Sequence, residues 1–248
     1  MLYVARRFDD PQLLERMKAL AVERLRWGWR RLLIMVRREG WKIGERAFRR
    51  MYRGLGLHVT RTRKRHVRYV RGNEIEPVTR PNERWSMDFM HDRLNPGRPY
   101  RLFNVVDDFT NEVLAIAPAF SFGSADVIRV LENIAFERGI AATLRSDNGS
   151  EFCSHRMLRW AADQSVQLHF IQPGKPTQNA KIESLNGRIR DELLNPHAFR
   201  TIDEVRTAAD LWRADYNEIR PHSTLGYLTP RDFAAQFKTT RPSQLSVA

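Results

Sequence analysis

The sequence predicts a mixed α/β domain preceded by a small all-α domain, and three observations carry that reading. Apolar residues recur at helical spacing up to about residue 56, and from Arg84 the rhythm changes to short β-rich runs. Beyond that point three strands are followed by helix, strand, helix, strand and helix, an order that gives a mixed sheet with helices on its faces. The charge is split: residues 1–80 hold 22 Lys and Arg against 8 Asp and Glu, whereas residues 81–248 hold 20 against 21. The expected divisions are a basic helical domain over 1–57, a basic linker over 58–83, a second domain over 84–235 and a tail over 236–248.

Residues 10–56 read as three short helices. Asp10 before Pro11 is a cap followed by a first-turn proline, and Leu13, Leu14, Met17 and Leu20 then lie on one face. A second helix spans about Gly28–Glu39 with Leu32, Leu33 and Val36 inward, and Gly40 terminates it. A turn at Trp41–Gly44 leads to a third helix carrying Ala47, Phe48, Met51 and Leu55. Two short helices about four residues apart form a helix-turn-helix pattern. Arg46, Arg49, Arg50 and Arg53 surround the exposed side of the third helix, where arginines can meet phosphates or guanine edges. An ordinary helical bundle with a solvated basic face would share this pattern.

The linker contains Arg61, Arg63, Lys64 and Arg65 in a nearly continuous positive run suited to phosphates. Trp85–Met90, Arg101–Val106 and Glu112–Ala117 then suggest an antiparallel meander. A helix at about Ser124–Arg138, a strand at Ala142–Ser146, a helix at His155–Asp163 and a strand at Gln167–Gln172 follow. The loop Pro173–Pro176 leads to a helix at about Ala180–Leu194, and a last helix covers about Ile202–Asn217. This order is that of the ribonuclease H-like fold.

Composition narrows the function classes. A net charge of +13, concentrated in the first third, points to an anionic partner, usually nucleic acid. The single cysteine, Cys153, makes neither an internal disulfide nor a zinc site, and fits a reducing compartment. The first residues lack the apolar core of a signal peptide, and no apolar run approaches the roughly 20 residues a membrane span needs. The expectation is a cytoplasmic protein with no membrane partner.

Three carboxylates stand in positions that call for chemistry. Asp88 lies inside an otherwise apolar strand, where a carboxylate is costly unless something compensates it. Asp147 ends a strand, just before the turn residue Gly149. Glu183 borders the buried face of its helix, marked by Ile182, Leu185, Ile189 and Leu193, and Asn186 and Arg190 share its side. Converging carboxylates repel one another without a counter-charge. Such hard oxygen ligands suit Mg²⁺ or Mn²⁺, and a pair of those ions serves phosphoryl transfer. Three unrelated surface acids are the plain alternative.

The text around these residues is specific. Asp147 and Glu183 are separated by 35 residues, within Ser146-Asp147-Asn148-Gly149-Ser150-Glu151-Phe152 and Pro173-Gly174-Lys175-Pro176-Thr177-Gln178-Asn179-Ala180-Lys181-Ile182-Glu183-Ser184-Leu185-Asn186-Gly187. The chain continues with Tyr216-Asn217-Glu218-Ile219-Arg220-Pro221-His222 and ends the pattern at Pro230. Over about residues 20–235 this resembles the transposases of the IS3 family of insertion sequences, specifically the product of their second reading frame, with the integrase core of retroviral integrases. The resemblance implies a D,D(35)E triad of Asp88, Asp147 and Glu183 that both binds metal and catalyses. It further implies two Mg²⁺ (or Mn²⁺) ions, strand cleavage at the element's ends, and joining by a 3′-OH without a covalent protein–DNA intermediate. Family members act as multimers on DNA, and many are completed by an upstream-frame protein or fusion. Lys181 fills a place often apolar in the family.

Other residues have simpler readings. Asp107 and Asp108 suit turn hydrogen bonds better than a metal. Glu151 orients the loop after Asp147 or is merely solvated. Lys175, Lys181 and Arg190, with Asn148, Gln178, Asn179 and Asn186, could hold DNA phosphates near the site. Trp212 and Tyr216 read as packing, Arg220 and His222 as packing or DNA surface, and Cys153 as a small packing residue. Rivals to the transposase reading are a nuclease that cuts without joining, a DNA-binding regulator that has lost chemistry, and a remnant needing its upstream partner.

Overall fold

The structure, a computed structural model, describes residues 10–24, 26–57, 77–172 and 179–237. The chain divides into two compact units, Met1–Arg68 and Tyr69–Ala248. Arg61, Arg63, Lys64, Arg65, Lys175 and Gln178 lie outside the described residues.

The first unit packs three helices, α1 (Pro11–Glu23), α2 (Trp29–Arg38) and α3 (Glu45–Gly54). Asp10 caps α1 by accepting a hydrogen bond from the backbone N–H of Gln12 at 2.9 Å, with Pro11 in the first turn. Met17, Leu20, Leu32, Val36 and Phe48 meet in its core. Tyr52 is buried on α3, whereas Ala47 and Leu55, expected to face inward, are only partly covered. The α2–α3 connection takes residues 39–44, longer than the expected four. Arg37 closes that connection, donating from Nε and a terminal nitrogen to the carbonyl of Ile43 at 3.1 and 2.9 Å. Arg16 ties α1 to the end of α2 through Glu39.

The second unit is built on a five-stranded sheet in the order β3-β2-β1-β4-β5. The strands are β1 (Arg84–Arg93), β2 (Pro99–Asp107), β3 (Val113–Ala119), β4 (Thr143–Ser146) and β5 (Gln167–Phe170). β1, β2 and β3 pair antiparallel, and β4 joins β1, and β5 joins β4, in parallel. This is the ribonuclease H-like architecture expected from the order of elements. The meander strands run past the expected ends because pairing continues where apolar character stops: His91 lies opposite Arg101 and Asp92 opposite Tyr100.

Alternation along β1 and β2 sorts side chains to two faces. Trp85, Met87, Phe103 and Val105 face a core closed by α4 (Ser124–Arg138) and α5 (His155–Asp163). Met90, Leu102 and Val106 face a second core closed by α6 (Ala180–Ile189) and α7 (Ile202–Glu218). Asp88 and Asn104, paired across β1 and β2, share the parity of this second face. The helix expected over Ala180–Leu194 changes at Arg190 into a π turn, Arg190–Leu194. A short helix α8 (Pro230–Ala235), capped by Thr229, goes beyond the expected elements, because six residues show too little periodicity to read.

Candidate active site

Strand register places the first two carboxylates. Trp85 pairs with Leu144 and Ser86 with Arg145 in the parallel β1–β4 ladder. Continuing that register by two residues brings Asp88 level with Asp147, just beyond the last residue of β4. Both therefore stand at the same height of the sheet, on adjacent strands. Glu183 arrives from the first turn of α6, the helix lying on the face that carries Asp88. Asp88 is half-buried, whereas Asp147 and Glu183 are exposed.

Asp88 is held from two sides. Its Oδ1 accepts from the backbone N–H of Phe89 at 2.8 Å, and its Oδ2 accepts from Nδ2 of Asn186 at 2.8 Å. Asn186 in turn accepts, through Oδ1, a hydrogen bond from Nδ2 of fully buried Asn104 at 2.8 Å. This Asn104–Asn186–Asp88 relay bonds α6 to β1 and β2, and it fixes the turn of helix that carries Glu183. The sequence suggests Asn186 only as a phosphate contact, and sequence reasoning misses Asn104, which joins this hydrogen-bond chain. A polar asparagine inside an otherwise apolar strand is the available signal.

The electrostatics report the same convergence. Burial pushes the Asp88 carboxyl up to about 6, and the charges of Asp147 and Glu183 add to this rise. The two hydrogen bonds to Asp88 oppose it. No three His, Cys, Asp or Glu side chains among the described residues are drawn together closely enough to hold an ion. The donor set nevertheless fits a hard divalent cation in kind: three carboxylates, with an excess of negative charge that disfavours ionisation of the buried one.

The loop after Asp147 is tightly built. Oδ1 of Asp147 accepts from the backbone N–H of Gly149 at 3.0 Å. A methyl group at Gly149 would lie 3.1 Å from that oxygen, 3.3 Å from Glu151 and 3.3 Å from Phe152. Glu151 forms an ion pair with Arg101 and accepts from Ser150 Oγ at 3.1 Å, so it anchors this loop and is not simply solvated. The Arg101 guanidinium also lies 3.9 Å from the ring centre of Phe89.

The remaining candidates make other contacts. Asp107 accepts from the backbone N–H groups of Phe109 and Thr110, both at 2.9 Å, the turn role expected of it. Asp108 pairs with Arg84 at 2.6 Å and accepts from Ser86 Oγ at 2.7 Å. Lys181 is half-buried and donates to Asn111 Oδ1. Burial holds its ammonium below the usual lysine range. Arg190 donates to the carbonyl of His91 at 2.6 Å and pairs with Asp92 at 3.3 Å. Both cations are thus turned to protein partners. Tyr216 packs on Trp212 with ring centres 4.9 Å apart, and buried Arg220 pairs with Glu192. Cys153 is exposed, contrary to its reading as a packing residue, and burial and the Asp147 charge both push its thiol up, away from a reactive thiolate. In the first unit, Arg46, Arg49, Arg50 and Arg53 are all exposed on α3.

No helix among the described residues is long and apolar enough to cross a membrane. Residues 78–176 and 164–230 match the integrase core domain family. The chain is 44% identical over 232 residues to a 31.7 kDa protein of insertion element IS407 from Burkholderia multivorans, covering 94% of this chain and 84% of that one. It is 38% identical over 224 residues to a 39.2 kDa protein of insertion element IS476 from Xanthomonas euvesicatoria, covering 90% and 65% respectively. The fold resembles the HTLV-2 integrase catalytic core domain, solved in complex with magnesium, with a TM-score of 0.51, 18% identity and coverage of 62% of this chain and 97% of that one. It also resembles a chain of the simian T-cell lymphotropic virus intasome, with a TM-score of 0.59, 19% identity and coverage of 94% and 78%. With these matches spanning nearly its whole length, the chain belongs to the insertion-element transposases built on an integrase core, enzymes of DNA transposition.

Proposed function

We propose that this transposase cuts DNA at the ends of its element and joins the freed 3′-OH to target DNA, with Asp88, Asp147 and Glu183 acting as one catalytic group. The observation that carries this is the coupling at Asp88. Its carboxyl is bonded to the helix that bears Glu183, and it feels the charges of both other carboxylates. The 35-residue spacing between Asp147 and Glu183 matches the D,D(35)E pattern.

The same three residues would hold two Mg²⁺ or Mn²⁺ ions, in keeping with the magnesium complex of the HTLV-2 integrase core. Such ions, when bound, activate an attacking oxygen and stabilise a leaving one. The protein's own residues position the carboxylates. Asn104 orients Asn186, Asn186 presents Asp88, and the Gly149 turn and the Arg101–Glu151 pair hold the segment after Asp147. In cleavage, a water oxygen bonds to phosphorus and the 3′-oxygen leaves, taking a proton. In joining, that 3′-OH attacks a target phosphate and displaces the next 3′-oxygen, so one phosphodiester replaces another.

DNA contacts are assigned to Arg46, Arg49, Arg50 and Arg53 on α3, and to Arg61, Arg63, Lys64, Arg65 and Lys175. Lys181 and Arg190 serve through their protein partners, Asn111 and the His91–Asp92 segment. Assembly as a homo-multimer on DNA, a need for an upstream-frame protein, and a cytoplasmic setting complete the reading.

The test is a joining assay with purified chain, Mg²⁺ or Mn²⁺ and a labelled duplex of the element's end bearing a free 3′-OH. Joined product that requires the metal is expected. Cleavage without joining would replace this reading with a nuclease. Binding without either reaction, even after addition of the upstream-frame protein, would replace it with a regulator.

A further inference from the structure

The first unit uses its arginines in two distinct ways. Arg16 and Arg37 are structural, one bridging α1 to Glu39 and the other bonding the carbonyl of Ile43. Arg46, Arg49 and Arg53 on α3 are exposed and make no hydrogen bond or ion pair among the described residues. Positions 46, 49 and 53 form one stripe along the helix, three and four residues apart.

Within that stripe Arg49 differs from its neighbours. Its guanidinium carbon lies 5.6 Å from the ring centre of Trp29, the first residue of α2. Arg30 lies 4.5 Å from the same ring. The Trp29 ring is itself partly buried against the core of the unit, so it is a fixed platform. Among the described residues, neither Arg46 nor Arg53 has a guanidinium resting over a ring.

The difference matters because phosphate and base contacts ask different things of an arginine. Neutralising a phosphate tolerates a mobile side chain. Reading guanine requires both ends of the guanidinium fork to meet O6 and N7 in fixed register. A planar guanidinium resting on an aromatic face is already oriented, and loses less freedom on forming that pair. Arg49 also lies in the N-terminal half of α3, the part of a recognition helix that contacts base edges, whereas Arg53 lies in its last turn.

We propose that Trp29 is a positioning residue that holds Arg49 ready to read a guanine in the major groove, while Arg46 and Arg53 bind phosphate. Arg49 is then the sequence-specifying side chain of α3. This rests on the reading of the first unit as DNA-binding.

The experiment selects bound duplexes from a random-sequence pool with the full chain, then measures affinity for the selected and a scrambled duplex. Wild type is compared with Arg49→Lys, Trp29→Leu, Trp29→Phe and Arg53→Lys. Arg49→Lys keeps the charge, is exposed, and does not threaten folding. Arg49→Lys and Trp29→Leu are expected to lower the selected-to-scrambled ratio about tenfold and leave scrambled binding and its salt dependence unchanged. Trp29→Phe, which retains an aromatic face, restores part of the ratio, and Arg53→Lys leaves it intact. If the wild-type ratio is high and Arg49→Lys leaves it unchanged, the proposal falls and the DNA-binding reading stands. If wild type binds neither duplex, or if Arg46, Arg49 and Arg53 can be replaced without loss, both fall.

Discussion

Asn186 donates a hydrogen bond to the Asp88 carboxylate at 2.8 Å, and with its other end accepts one from buried Asn104, also at 2.8 Å. One side chain thus links the helix of Glu183 to the strand of Asp88. Replacing Asn186 with Ala removes a bond that favours the ionised form of Asp88, so that carboxyl moves further up. DNA strand-transfer rates are expected to fall about 10–100-fold, the scale of losing a residue that orients a metal ligand. The acid limb of the pH–rate profile should move to higher pH while DNA affinity holds. An unshifted limb with full activity would remove Asn186 from the site.

The raised Asp88 carboxyl also has a stability consequence in metal-free protein. Its folded value of about 6 lies above the ordinary 3.8, so the folded state binds the proton more tightly than the unfolded state. Stability is therefore greatest below pH 4 as far as this group is concerned, and is lost as pH rises through 6. Above that, the ionised group destabilises the fold by up to about 3 kcal/mol, less to the extent that solvent screens it. Asp88→Asn is expected to unfold at a higher denaturant midpoint than wild type at pH 7, with the difference vanishing near pH 4. Equal midpoints at both pH values would show that Asp88 is not strained.

Divalent ions should reverse that penalty. Adding Mg²⁺ or Mn²⁺ at pH 7 is expected to raise the melting temperature of the wild-type protein, because a ligand that binds only the folded state stabilises it. The rise should be lost in Asp88→Asn and Asp147→Asn, as read by thermal denaturation with and without a chelator. A rise of equal size in all three proteins would place the ion elsewhere.

Gly149 is required by space. A methyl group there meets Asp147 Oδ1 at 3.1 Å and Phe152 at 3.3 Å. Because Phe152 is buried against the core, the relief must come from the Asp147 and Glu151 carboxylates. Gly149→Ala is expected to cost about 1 kcal/mol of stability, in the range of ordinary single substitutions. It should lower strand transfer about tenfold or more, since small displacements of reacting groups weigh heavily on rate. Comparing chemical denaturation with the joining rate separates the two effects.

Much of this is legible in the chain because strand alternation and loop spacing are local. The pattern around Asp88, the turn after Asp147 and the apolar face of α6 all follow from the order of residues. What stays hidden depends on long-range contacts. Nothing near Asn104 indicates that it meets Asn186, 82 residues away. In the sequence Lys181 and Arg190 look like free cations beside the site, but each has a partner on a distant loop or strand, Asn111 and Asp92. The extension of β1 to Arg93 is set by cross-strand hydrogen bonds, which ignore the polar side chains of His91 and Asp92. The π turn at Arg190–Leu194 likewise has no signature in apolar spacing.

The most direct measurement compares joining by Asp88→Asn, Asp147→Asn and Glu183→Gln with wild type, using a 3′-OH element-end duplex, Mg²⁺ or Mn²⁺, and a parallel DNA-binding assay. Each change keeps the side chain's size and removes its charge. All three variants are expected to bind DNA as wild type does and to yield no joined product. Wild-type joining by any one of them would contradict the assignment of a single catalytic group to these three carboxylates.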